Sequence, residues 1–282
     1  MNLQKKLVIY LLLATYLLFS RVGYSQVPTN LESHTEGFQE LSPSRPSVFD
    51  SSPYVEAGYT YDGLTNNYAN WNSEYLNIFV PLHENGFINA QIQNANRYGE
   101  VDQDLNVLYA YPFSYGVMNV FGGGSANGHF LPQTTVGAEW NGRLPQSFGY
   151  IVCVNQKQFS SFYSNALTNA YNLGLEKYIG EYRLAYVGNI NTINRQQEAY
   201  ASKIQIQWVG SSNNRLGFTY AWGREPIAAS LNELVSINFS YAQIDSLYWL
   251  NKTVGITTAI WHGMEGAYYQ RNGFQIGIRV NF

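Results

Sequence analysis

Charge, cysteine and long apolar runs are all scarce in this sequence. Only 12% of its 282 residues are charged, against roughly 25% in ordinary soluble domains. The net charge is −3, so no basic surface is available and nucleic acid is not an expected partner. One cysteine, Cys153, excludes an internal disulfide and a cysteine zinc site. Flanked by Ile151, Val152 and Val154, it reads as a small strand residue. The four histidines, His34, His83, His129 and His262, are scattered, and no ligand cluster is visible. Neither a metal nor a cofactor is expected. No apolar run in the body of the chain reaches the length of a membrane helix.

The one strong apolar run opens the chain. Lys5 and Lys6 precede Leu7–Phe19, and small residues surround Gly23-Tyr24-Ser25. That is a charged segment, an apolar segment and a cleavage site before Gln26, the layout of a secretory signal peptide over 1–25. Removing Lys5, Lys6 and Arg21 from the 16 basic residues leaves 13 against 19 acidic ones, a net charge of −6. Residues 26–52 carry Pro28, Pro43 and Pro46 without periodicity and read as a flexible periplasmic lead-in.

From 53 to 282 the period is two. The last ten residues set the pattern: Phe274, Ile276, Ile278, Val280 and Phe282 share one face, and Gln275, Gly277, Arg279 and Asn281 the other. Such a terminal strand is an aggregation hazard at an open edge, and closure on the first strand removes the edge. Earlier segments repeat the alternation. Val55, Ala57, Tyr59 and Tyr61 oppose Glu56, Gly58 and Thr60; Leu76, Ile78 and Val80 oppose Tyr75, Asn77 and Phe79; Val235, Ile237, Phe239 and Tyr241 oppose Ser236, Asn238 and Ser240. Fourteen segments are counted, or twelve if two weak ones are discounted. Short connections such as Pro112–Ser114 and Ile179–Gly180 alternate with longer ones at Asp62–Asn70, Gly123–Pro132, Arg224–Asn232 and Gly263–Asn272. Aromatics make up 16% of the chain, with 24 tyrosines. The fold class is therefore all-β: a transmembrane antiparallel up-and-down β-barrel of 12–14 strands with a polar lumen, in the cell outer membrane. The competing soluble sandwich would have to bury the polar face dry, leaving many polar groups hard to satisfy. Tyr61, Trp71, Tyr111, Trp140, Trp208, Trp222, Trp249 and Trp261 are candidates for the interfacial girdles.

Several segments resemble the YaiO-type outer-membrane β-barrel family. Asn96-Arg-Tyr-Gly-Glu-Val-Asp102 is similar to its Arg-aromatic-Gly-x-x-Asp segment. Phe130-Leu-Pro132, Gly137-Ala-Glu139, Leu144-Pro145, Tyr178–Leu184 and Gly217–Pro226 follow in the family's order, the first with an inserted leucine. The resemblance spans roughly residues 54–282 and implies an outer-membrane barrel without established catalytic residues. A link to surface polysaccharide or its export machinery is implied by family association only.

Chemistry is thinly represented. His129 with Ser125, and His262 with Glu265, are the candidate pairs for a lipid-modifying hydrolase or acyltransferase, but neither lies in a recognisable motif. Gly122-Gly-Gly124 lacks the Gly-Lys-Ser/Thr ending of a phosphate loop and reads as an outer loop. The polar face supplies the lumen-lining candidates: Arg97, Asp102, Asp104, Lys157, Glu176, Glu181, Arg183, Lys203, Arg215 and Arg279, with Glu56 beside them. Arg97 and Asp102 are placed to pair across their hairpin. Both charge signs are present, so the bland role, a ladder of ion pairs, competes with a selectivity device. The expected function is a non-catalytic barrel that passes, or docks machinery for, a polar solute or surface polysaccharide. Its expected partners are outer-membrane lipid and the barrel-assembly machinery, the latter through the strand ending at Phe282. Mass spectrometry of the mature protein is expected to find an N-terminus at Gln26; retention of Met1–Ser25 would overturn the signal-peptide reading.

Overall fold

Alternating side chains commit each segment to an extended strand with two unlike faces, and in lipid every backbone group of such a strand must find a partner on a neighbour. The computed structural model describes residues 52–82, 86–97, 99–159, 166–194, 197–210, 213–230 and 233–282. The proposed signal peptide and nearly all of the lead-in lie outside them. Fourteen antiparallel strands are described, in chain order: β1 (Tyr54–Leu64), β2 (Trp71–Pro81), β3 (Phe87–Arg97), β4 (Glu100–Phe113), β5 (Gly116–Ser125), β6 (Thr134–Leu144), β7 (Phe148–Gln158), β8 (Leu167–Ile179), β9 (Tyr182–Ile193), β10 (Gln197–Val209), β11 (Arg215–Ser230), β12 (Glu233–Trp249), β13 (Val254–Glu265) and β14 (Tyr269–Asn281). Each pairs with its sequence neighbours, and β14 pairs with β1, closing the barrel. The larger of the two strand counts is the one realised.

Closure is in register from Tyr54↔Asn281 to Leu64↔Arg271, and the Phe282 amide donates to the Pro53 carbonyl at 3.0 Å. Both ends of the described chain therefore sit at one rim, which also carries the tight turns at Ser114–Tyr115, Pro145–Ser147 and Gly180–Glu181. Gly180 has φ +59°, the left-handed geometry that a two-residue hairpin turn demands. In an outer-membrane barrel this rim is the periplasmic one.

The opposite rim differs from expectation. Arg224–Asn232 and Gly263–Asn272, expected as loops, are largely strand. The expected glycine loop Gly122-Gly-Gly124 lies inside β5. A Cβ on Gly123 would stand 2.2 Å from the Leu105 carbonyl oxygen, and one on Gly124 2.0 Å from that of Gln133. These glycines admit neighbouring backbones rather than a phosphate.

The outward face is the apolar one on most strands. Ile78, Leu105, Leu173, Ile206, Phe218 and Ile276 are all exposed on it. Tyr61, Tyr111, Trp140, Trp208 and Trp222 face outward as expected, whereas Trp71, Trp249 and Trp261 sit on inward positions of their strands. The face assigned to the start of β12 is also reversed. Ile237, Phe239 and Tyr241 point inward, and Asn238 and Ser240 outward. With 17 residues, β12 exceeds the roughly 9–11 needed to cross the hydrocarbon. Its outer part stands clear of lipid, so polar groups there can face water. Ile244 and Tyr248, lower down, return to the outward face and are exposed.

Glycines on the inner face are covered by side chains from the next strand. A Cβ on Gly58 would meet the Tyr75 ring at 2.4 Å, because Tyr75 lies flat across its register partner. A Gly58→Val variant is expected to lose about 1–3 kcal/mol through overpacking, read as a lower unfolding midpoint of the heat-modifiable band on gels.

Candidate functional site

Since the outward face meets lipid, any solute chemistry must lie inside. At the outer mouth, Asp62 of β1 and Arg271 of β14 form a two-pronged ion pair, with Arg271 Nε to Asp62 Oδ1 at 2.6 Å and Arg271 Nη2 to Asp62 Oδ2 at 3.0 Å. The Trp261 indole N–H donates to the same carboxylate at 2.5 Å. The Arg271 guanidinium lies 5.2 Å from the Trp71 ring and 5.9 Å from Trp261, and Arg97 lies 4.9 Å from Trp71 and 5.1 Å from Phe130. Aromatic rings and guanidinium groups thus alternate from β13 to the β5–β6 loop, each contact within cation–π range.

That loop, Ala126–Gln133, folds inward. Asp102, fully buried, accepts the backbone N–H groups of His129 (3.0 Å), Phe130 (2.8 Å) and Leu131 (2.8 Å), and its Oδ1 lies 2.9 Å from His129 Nδ1. Phe130 and Leu131 are buried in a cluster with Ala95. Asp102 therefore serves the loop rather than the expected hairpin pair, and the register sets Arg97 opposite Glu100. The Ser125 hydroxyl accepts the Gly128 amide at 3.1 Å, while His129 turns to Asp102. His262 and Glu265, three residues apart, point to opposite faces of β13, and His262 Nδ1 meets Asn272 Oδ1 at 2.8 Å. Neither candidate hydrolase pair is assembled. Among the described residues no group of histidine, cysteine and carboxylate side chains converges as metal ligands.

In the periplasmic half, Glu56 of β1 binds Arg279 of β14 at 2.7 Å. It also accepts the Tyr75 hydroxyl at 2.8 Å and the Thr257 hydroxyl at 3.1 Å. Arg279 lies 4.0 Å over the Tyr54 ring, which stacks on Phe79 at 5.0 Å. Phe79, Phe87, Leu108, Ala110 and Val117 then form a buried apolar cluster inside the barrel. This cluster interrupts the polar lumen near the periplasmic end of β2–β5, while Thr60, Ser73, Asn77, Asn89, Gln91, Gln93 and Asn119 keep the rest of that inner face polar. Phe79 and Leu108 keep the inward parity of their strands, and their bulk fills the space.

The facing wall carries short side chains at several inward positions. Inward positions on β8–β11 carry Ala170, Ala185, Ala199, Ala201 and Ala221. Between them Asn172, Asn189, Lys203, Gln207 and Thr219 keep partial solvent exposure. Arg215 and Asp245 approach to 3.9 Å with side chains 37% and 26% exposed, a loose pair beside water. By contrast, Glu176 and Arg183 are nearly buried and tight at 2.8 Å, with the Tyr178 hydroxyl on the same carboxylate.

Of the expected lumen residues, Arg97, Asp102, Asp104, Lys157, Glu176, Arg183, Lys203, Arg215 and Arg279 occupy inward positions. Glu181 does not. It lies in the exposed turn before β9 and accepts the N–H of outward-facing Trp208 at 2.9 Å, because the strand parity ends where the turn begins. Asp62, Arg271 and the inward Trp71 and Trp261 were missed. Asp62 and Arg271 continue the parity of Glu56 and Arg279, a signal hidden by assigning their segments to loops.

A family model described as "YaiO membrane beta barrel domain" matches residues 53–227. Among solved structures, the chain is similar to a loop-deletion mutant of OmpT, an outer membrane protein of Vibrio cholerae, at 8% identity and TM-score 0.50, covering 82% of this chain and 98% of that one. It is similar to the same degree, at 7% identity and TM-score 0.50, to a structure titled bacterial polysaccharide outer membrane secretin, covering 82% and 98% of the two chains. At these identities the likeness establishes the barrel fold alone. No curated protein sequence matches the chain.

The buried Asp62–Arg271 pair yields a direct test of the outer-mouth geometry. Asp62→Ala is expected to cost about 3–5 kcal/mol by leaving Arg271 buried without its partner, measured by denaturant unfolding in detergent. An Asp62→Leu/Arg271→Leu double variant is expected to recover much of that loss.

Proposed function

The chain belongs to the YaiO membrane β-barrel family, an outer-membrane barrel, and we propose that it is a non-catalytic conduit for small polar solutes, sugars included. The supporting observation is the asymmetry of the interior. Large aromatic and aliphatic side chains fill the periplasmic end of the inner face of β2–β5. Alanines interleaved with amides, hydroxyls and a lysine line β8–β11, and Asn172, Asn189, Lys203, Gln207 and Thr219 keep partial solvent exposure there. A path along that wall is off-centre and narrower than the strand number alone would allow. Its amide and hydroxyl groups can exchange hydrogen bonds with a hydrated solute at little desolvation cost. Most interior charges are engaged in pairs, so the path is weakly selective, with Lys203 and the loose Arg215–Asp245 pair as the charges nearest to it.

Planar-bilayer recording of the purified, folded barrel is the test. Discrete conductance steps are expected, and Lys203→Glu is expected to move the reversal potential in a salt gradient toward cation preference. Liposomes containing the protein are expected to swell in isotonic sugar. Absence of both steps and swelling, in the wild type and after removal of 126–133, would overturn the conduit reading and leave a docking role for the barrel.

A further inference from the structure

The β5–β6 loop is attached to the barrel in an uneven way. Its ends are tied by backbone bonds: Ser125 N to Pro132 O at 2.9 Å, Ala126 N to Gln103 O at 3.0 Å, and Gln133 N to Gln158 O at 2.8 Å. Its middle is tied inward through one carboxylate, two apolar side chains and the Asn127 side-chain amide, which donates to the Val101 carbonyl at 3.1 Å. Three consecutive N–H groups converge on Asp102, with His129 Nδ1 beside them, and Phe130 and Leu131 fill the space over Ala95. Asp102 is a β4 residue and the donors are loop residues, so this is a tether between two elements rather than a turn closing on itself.

We infer that Ala126–Gln133 is a flap over the outer mouth of the barrel, held shut by Asp102 as its latch, with the Phe130–Arg97–Trp71–Arg271 stack as its second fastening. Two features of the geometry carry this. First, a carboxylate can accept all three successive backbone N–H groups on its two oxygens while donating none. With Asn at that position one oxygen remains, and the amide N–H groups oppose the loop's own donors. Second, the stack ends on the flap. Phe130 is its terminal member, and Arg97 stands between it and Trp71. Releasing the latch exposes Phe130 and Leu131 without breaking a strand pair, because neither belongs to a ladder. The opening is therefore local, of the kind that costs far less than unfolding.

The flap takes its physiological meaning from the conduit reading, but its test does not depend on conductance. A Leu131→Cys reporter, in a Cys153→Ser background and on whole cells, is labelled by a membrane-impermeant maleimide only when the flap lifts, since Leu131 is 1% exposed when it is shut. Adding Asp102→Asn is expected to raise the labelling rate by about tenfold or more, the factor set by losing a single charge-assisted hydrogen bond from the closed state. Phe130→Ala, which leaves the carboxylate in place, is expected to raise it by a smaller factor. The heat-modifiable band confirms that each variant is folded. Should Asp102→Asn fail to fold, Phe130→Ala decides. Unchanged labelling in the folded variants would overturn the latch. Bilayer recordings of the same proteins separate the two readings: faster labelling with no conductance keeps the flap and removes the conduit, whereas conductance with unchanged labelling does the reverse.

Discussion

Everything in this molecule depends on closing β14 against β1. A strand in hydrocarbon cannot leave its amide and carbonyl groups unpaired, and an open sheet has two such edges. Here the eleven-residue register from Tyr54↔Asn281 to Leu64↔Arg271 removes both. The seam is reinforced from inside at two heights. Glu56–Arg279 bridges it near the periplasmic rim and Asp62–Arg271 near the outer one, each nearly buried and each carrying further hydrogen bonds from a tyrosine or a tryptophan. Buried ion pairs are poor stabilisers compared with apolar packing, yet they are exacting about position. A slip of one residue would send one member of each pair to the lipid face. The charges at the seam therefore specify register more than they add stability.

The interior follows from the same parity. Once closure fixes which residues point inward, side-chain volume decides what the lumen becomes. Phe79, Phe87 and Leu108 pack one side of the periplasmic half, and inward alanines put short side chains on the opposite wall. Tyr75 covers Gly58 and reaches Glu56, so the packed wall and the seam form one structure. A barrel of this strand number is thus neither filled nor fully open. The inward-folded loop adds a third restriction at the outer end, drawn to Asp102 because three successive backbone donors would otherwise be buried unpaired.

The alternation of small and large, polar and apolar residues is enough to identify a membrane barrel and its strands, and nine of its ten candidate lumen charges take inward positions, since a period of two assigns each residue to a face wherever the strand continues. The same period misled where the strand left the membrane. In β12 the apolar face was given to lipid, whereas outside the bilayer lipid no longer decides, and Ile237 and Phe239 turn inward. Strand length is not written in the alternation, which leaves Asp62 and Arg271 in segments expected as loops. What the sequence could not carry at all is proximity between distant segments. Asp102 meets His129, Phe130 and Leu131 across a fold of the chain, and Arg271 meets Trp71 across the seam. Those neighbours are chosen by barrel closure and by the stagger of the strands, which are properties of the whole sheet. The sequence by itself determined which residues of a strand share a face, because that alternation is local stereochemistry. Only the tertiary structure decided which inward residues share a height, and with that where the apolar cluster packs and where the loop is tied down.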